Sequence, residues 1–60
     1  MWIITKHAGL INTQHVLRFY ENSYGTHAYC GGASYLVSQD HVMATIIEAL
    51  GNGVKYLEVE

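Results

Sequence analysis

The chain has no proline, a single cysteine, three basic residues and no long apolar run, and each shortage removes a class of protein. Cys30 alone cannot close an intramolecular disulfide, and no Cys/His spacing suits a structural zinc site, so the usual staples of a small domain are missing. Lys6, Arg18 and Lys55 stand singly against five acids, for a net charge of −2. Affinity for a phosphate backbone comes from clustered Lys and Arg, so nucleic acid is not an expected partner. The apolar runs are too short to span a bilayer, and Met1-Trp2 lacks the basic start of a signal peptide. With a lone reduced thiol, this points to a cytoplasmic protein without a membrane partner. Glu48, Glu58 and Glu60 read as a solvated rim.

What is present is apolar and aromatic. Half of the 60 residues are hydrophobic, and Trp2, Phe19 and five tyrosines crowd a short chain. A domain of this length buries only about 60% of the surface its unfolded chain exposes, so its own core is marginal. Without staples, self-association is the remaining source of burial, and surplus aromatic surface is what interfaces use. The expectation is one domain, residues 1–60, working as a homodimer.

The chain divides at its glycines. Trp2 to Lys6 is a β-branched segment and His7-Ala8-Gly9 a turn. Leu10-Ile11-Asn12 and Val16 to Glu21 then read as one returning strand, bulged around Asn12 to Gln14, with Leu17 and Phe19 on one face and Arg18 and Tyr20 on the other. Asn22-Ser23-Tyr24-Gly25 carries turn chemistry. A strand from Thr26 to Cys30 follows, Gly31-Gly32 fits the two-residue loop of a hairpin, and Ala33 to Val37 is the partner strand. Ala33, Tyr35 and Val37 share one of its faces; Ser34, Leu36 and Ser38 share the other.

The period then changes from two to 3.6. Val42, Met43, Ile46, Ile47 and Leu50 make one helical stripe, with Gln39, Asp40, Thr45 and Glu48 away from it. Ser38 is placed as N-cap, Asp40 in the first turn and Gly51 at the left-handed C′ position, which predicts a helix from Gln39 to Leu50. Val54 to Val59 alternates as a last strand would, or frays as a terminal tail.

Met1-Trp2-Ile3-Ile4-Thr5, the Leu10-Ile11-Asn12 return, the middle hairpin and the passage from Tyr35-Leu36 through Ser38 into a helix give the chain a family resemblance. It resembles a group of small, functionally uncharacterised proteins of bacteria and their phages, which open Met-Trp-Ile-x-Thr, continue with Leu-(Ile/Val)-Asn, and end in a hairpin running into a Ser-capped helix. The resemblance covers most of the chain and implies a small sheet with one helix across it and no established activity. Two features depart from that pattern: Gln39-Asp40-His41 stands where an acidic run is usual, and the last residues are more strand-like.

Sites of chemistry are few. His27 and Cys30 are three apart, but on a strand they point to opposite faces and cannot chelate one ion. Cys30 before Gly31-Gly32 has the position of a nucleophile at a tight turn, yet that role needs a histidine base held by a third group, and nothing singles out His7, His15, His27 or His41. The plainer reading is a small buried hydrophobe at a strand end. Neither Gly31-Gly32 nor Asn52-Gly53 has the strand-to-helix setting of a phosphate loop.

These readings combine into an α+β fold, a small antiparallel sheet of about three to five strands with one helix on one face. The other face goes to water or to a partner, and the tyrosines and tryptophan argue for a partner. The favoured function is a non-enzymatic interaction protein, a homodimer whose open sheet face or edge strand binds itself or a host protein; in a phage-like setting that makes it a modulator of its host. Trp2, Tyr20, Tyr29 and Tyr35 are the candidate interface residues, with Tyr29 and Tyr35 taken as neighbours across the hairpin. No catalytic residue, metal or cofactor is expected. The alternative is a minimal enzyme or small-ligand binder that uses Cys30 with a histidine at a dimer interface.

Overall fold

Alternation in the opening residues decides which way the first strand faces. In the computed structural model, which describes residues 1–60, β1 (Trp2–Thr5) buries Ile3 and Thr5 and leaves Trp2 and Ile4 outside. The following turn is closed by Thr5, whose hydroxyl donates to the Gly9 carbonyl and accepts from the Ala8 N–H, both at 2.8 Å. The second strand, β2 (Gly9–Asn12), returns antiparallel with Ile3 opposite Ile11.

Past Asn12 the chain does not continue as one bulged strand. The Asn12 side chain accepts the Gln14 N–H at 3.1 Å, and Val16 N–H bonds back to the Thr13 carbonyl at 3.2 Å, winding Thr13–His15 into a 3-10 turn. An Asn side chain that captures a nearby backbone donor competes with the sheet ladder. The expected single strand is therefore two, in different sheets. The second sheet is an antiparallel meander of β3 (Arg18–Asn22), β4 (Gly25–Tyr29) and β5 (Ser34–Ser38). Its β4–β5 hairpin turns at Gly31-Gly32, both at positive φ, and is closed by Cys30 N–H on the Ala33 carbonyl at 2.9 Å. The C-terminal strand-like segment forms β6 (Tyr56–Glu58), which joins β1 in parallel, so the first sheet has the order β2-β1-β6.

The helix, α1 (Met43–Gly51), begins four residues later than the Ser38 signal predicts. Ser38 is occupied elsewhere: its hydroxyl accepts the Asp40 N–H at 3.0 Å and donates to the Glu60 carbonyl at 2.5 Å, bonds that hold the chain in a turn. The N-cap residue, Val42, has no capping side chain, and the work passes to neighbouring strands. Thr26 Oγ1 accepts the Val42 N–H at 2.9 Å, and Glu21 Oε2 accepts the Met43 N–H at 3.4 Å, placing an anion where the helix dipole favours it. Thr26 is fully buried, and its hydroxyl lies 2.9 Å from the Asp40 carbonyl and 3.1 Å from Glu21 Oε2. Gly25, one residue earlier, makes this approach possible: at φ 125° a Cβ there would sit 2.1 Å from the Ser38 carbonyl oxygen. At the other end Gly51 is still helical. Gly53, at φ 68°, takes the C′ position, with its N–H on Leu50 at 3.3 Å and that of Val54 on Ala49 at 3.0 Å, a Schellman ending.

Both sheets and the helix close on one core of Ile3, Ile11, Ala28, Val37, Ile46 and Val59. The tether at Val42 sets the rotation of α1. Val42, Ile46 and Ala49 follow one another on the tethered face, whereas Ile47 and Leu50, expected in the stripe, are 63% and 46% exposed. The result is a small α+β fold of two three-stranded, mostly antiparallel sheets and one helix.

Two stability predictions follow from this packing. In chemical denaturation, Ile46→Ala should cost about 2–5 kcal/mol and Ile47→Ala no more than about 0.5 kcal/mol; equal losses would contradict the register. Thr26→Val keeps the shape of the side chain but strands the Val42 N–H, so it should cost about 1–3 kcal/mol and speed hydrogen exchange at Val42; a variant as stable as the parent would contradict the tether.

Candidate functional site

Three surfaces gather side chains with something to offer a partner. The first is the outer face of the β2-β1-β6 sheet, where Trp2 lies opposite Asn12 and Tyr56, and Ile4 lies opposite Leu10 and Glu58. Trp2, Ile4, Leu10 and Tyr56 are 41%, 37%, 64% and 67% exposed, an uncharged apolar centre of the kind that, as the largest patch on a small protein, is often functional. Glu58 stands on this face, and Lys6, in the turn after β1, and Glu60 lie with it around Ile4 at one end of the sheet.

The second is a cleft of about 420 Å³ alongside β2. Trp2, Leu10 and Ile11 come to it from the first sheet, Cys30 and Tyr35 from the β4–β5 hairpin, and Asn12 and His15 supply its polar groups. Cys30 is a free, half-buried thiol.

The third is the outer face of the second sheet. The Arg18 guanidinium lies 5.4 Å from the ring centroids of both Tyr20 and Tyr29, and Tyr20 stacks on His27 at 4.9 Å with the planes 9° apart. His27 Nε2 bonds to Asn22 Oδ1 at 2.9 Å, and His41 Nε2 donates to the Asn22 carbonyl at 3.0 Å. These rings are largely covered by their own neighbours, each cation–π contact adding about 0.5–1 kcal/mol.

The four candidate interface residues therefore do not form one patch. Trp2 and Tyr35 meet at the cleft, whereas Tyr20 and Tyr29 lie on the far side of the second sheet. Tyr29 and Tyr35 are not cross-hairpin neighbours: Tyr29 pairs with Ser34 and Ala28 with Tyr35, so the two rings point to opposite faces. A turn centred on Gly31-Gly32 pairs residues whose numbers add up to the same odd sum, and two odd-numbered tyrosines cannot then face each other. The same alternation separates His27 from Cys30, as their spacing predicts; His15 is the histidine that shares the cleft with Cys30. Sequence reasoning missed Ile4, Leu10 and Tyr56 as surface groups. The even-numbered phase of Trp2 and Ile4 was available as a signal for two of them, while Tyr56 joins only through the long-range parallel pairing of β6.

No helix is long and apolar enough to cross a membrane, and no three His, Cys, Asp or Glu side chains gather as a metal site. No protein-family model, curated protein or solved structure matches the chain.

Proposed function

We propose that the protein is a non-catalytic interaction module that acts as a cytoplasmic homodimer and, in keeping with the resemblance to small bacterial and phage proteins, modulates a host protein. The observation that carries this reading is the outer face of the first sheet. Its four apolar side chains expose an area on the order of 400 Å², about half of the ~800 Å² per partner of a standard interface, before the flanking polar residues are counted. At one end of that face Lys6, Glu58 and Glu60 gather around Ile4, so both signs of charge stand beside an uncharged centre. A two-fold interface sets the same patch against itself, and a patch with an apolar centre and both signs of charge at its border is compatible with that. A second copy is therefore the occupant assigned to it.

Sedimentation equilibrium across the micromolar range should show a mass rising from one chain towards two. Ile4→Thr combined with Tyr56→Ser, both compatible with a strand, should weaken the association at least tenfold without unfolding the chain. A wild-type monomer throughout that range would overturn the proposal.

A second reading rests on His15 and Cys30 lining the same cleft, since a histidine that closes to hydrogen-bond reach of a thiol can activate it. An activated thiolate is alkylated quickly near neutral pH, and an inert thiol only slowly. The interaction reading predicts that iodoacetamide labels Cys30 at the rate of an ordinary thiol or slower, with no change in His15→Ala. Fast labelling that His15→Ala abolishes would favour the enzyme.

A further inference from the structure

The free edge of β2 borders the cleft, and its backbone carries a pattern that one class of ligand matches. Trp2 N–H bonds to the Lys55 carbonyl at 2.8 Å and Val59 N–H to the Ile4 carbonyl at 2.9 Å, so the even-numbered residues of β1 turn their polar groups towards β6. The odd-numbered residues Ile3 and Thr5 therefore bond to β2, a phase that Thr13 N–H on the Met1 carbonyl at 2.9 Å continues. Leu10 and Asn12 lie opposite Ile4 and Trp2, at the positions of an antiparallel ladder where the two strands exchange no bonds. The Leu10 N–H and C=O and the Asn12 N–H thus point away from β1, off the edge of the sheet, since β2 has no second neighbour.

We propose that this edge is a strand-addition site for an extended peptide segment with apolar side chains, contributed by a protein partner. The unpaired groups present alternating partial positive and negative charge at strand spacing, and the complementary pattern is another extended backbone. The cleft beside the edge receives the side chains: those pointing one way along the added strand meet Trp2 and Leu10, and those pointing the other way meet Cys30 and Tyr35. Leu10 at 64% and Tyr35 at 46% exposure are open to such contacts. The site belongs to the interaction-module reading and shares Trp2 and Leu10 with the outer-face pairing, but its bonds come from the backbone edge of β2, so peptide binding is measured at concentrations where the chain is monomeric.

Trp2 is the sole tryptophan and Cys30 the sole cysteine, and both line the cleft, so each reports on its occupancy. Titration with the peptide acetyl-Thr-Val-Ile-Val-Thr-amide should shift Trp2 fluorescence saturably and slow the alkylation of Cys30. The same peptide N-methylated at alternate residues keeps its side chains but loses its donors on one edge, and should bind at least tenfold more weakly. Asn12→Pro removes the matching donor in the protein: Asn12 has φ −87°, about 20° from the proline value, its N–H faces outward, and Asn12→Ala controls for the side chain that accepts the Gln14 N–H. Folded Asn12→Pro should bind the peptide at least tenfold more weakly than Asn12→Ala, which loses the same side-chain cap but keeps the N–H. The N-methylated peptide reads the same bonds with the parent protein, so the test survives an unstable variant. Absence of saturable binding would overturn the proposal. Equal binding of the N-methylated peptide would overturn it in favour of a small apolar ligand in the cleft, and loss of self-association in folded Asn12→Pro but not in Asn12→Ala would overturn it in favour of a second copy on this edge.

Discussion

Sixty residues can close only one core, and everything else about this molecule is arranged around how little that core can hold. Six apolar side chains drawn from two sheets and a helix form it, while Trp2, Leu10, Leu17, Tyr24, Ile47, Tyr56 and other large apolar groups stay at the surface. Each short sheet has two faces and only one can turn inward. The two outer faces meet this constraint differently. On the second sheet Arg18, Tyr20, His27 and Tyr29 lie on one another, and the three rings are half-buried. On the first, Trp2, Ile4, Leu10 and Tyr56 have no covering element, which directs the functional reading to that side of the protein.

Thr26 is what allows so small a core to be closed from three sides. Its buried hydroxyl meets the Val42 N–H, the Asp40 carbonyl and the Glu21 carboxylate, joining β3, β4 and the start of α1 at one point. A helix of this length is marginal in isolation and depends on tertiary contacts for its stability. Here they include its N-terminal cap, supplied across space by two strands. The same tether selects which stripe of the helix is buried, and so leaves Ile47 outside.

The parts of the structure that are local in the chain were legible in it. Strand faces follow from the period-two alternation of Leu17 to Tyr20 and Ala33 to Ser38, and the β4–β5 hairpin follows from Gly31-Gly32. The α+β class follows from the change of period after Ser38. What the sequence could not display are interactions between residues far apart. Ser38 has the chemistry of an N-cap, but its hydroxyl donates a hydrogen bond to the backbone oxygen of Glu60, 22 residues away, and the cap comes from Glu21 and Thr26. Whether the segment from Val54 to Val59 is a strand depends on an edge of β1 that only the folded chain offers. At the candidate site the aromatic count was informative about surplus surface, yet not about position. The division of Leu10-Ile11-Asn12 from Val16 to Glu21 by one Asn-capped turn created the cleft, and that turn looked like a bulge.

The central claim is that the exposed apolar face of the first sheet, and not the aromatic face of the second, is where this protein meets a partner. Residue-resolved proton–nitrogen spectra recorded over increasing protein concentration test it most directly. The account predicts progressive shifts at the amides of Trp2, Ile4, Leu10 and Tyr56 and at the Trp2 indole, with Arg18, Tyr20 and Tyr29 unmoved. Shifts centred on Arg18, Tyr20 and Tyr29, or no shift anywhere across the range, would contradict it.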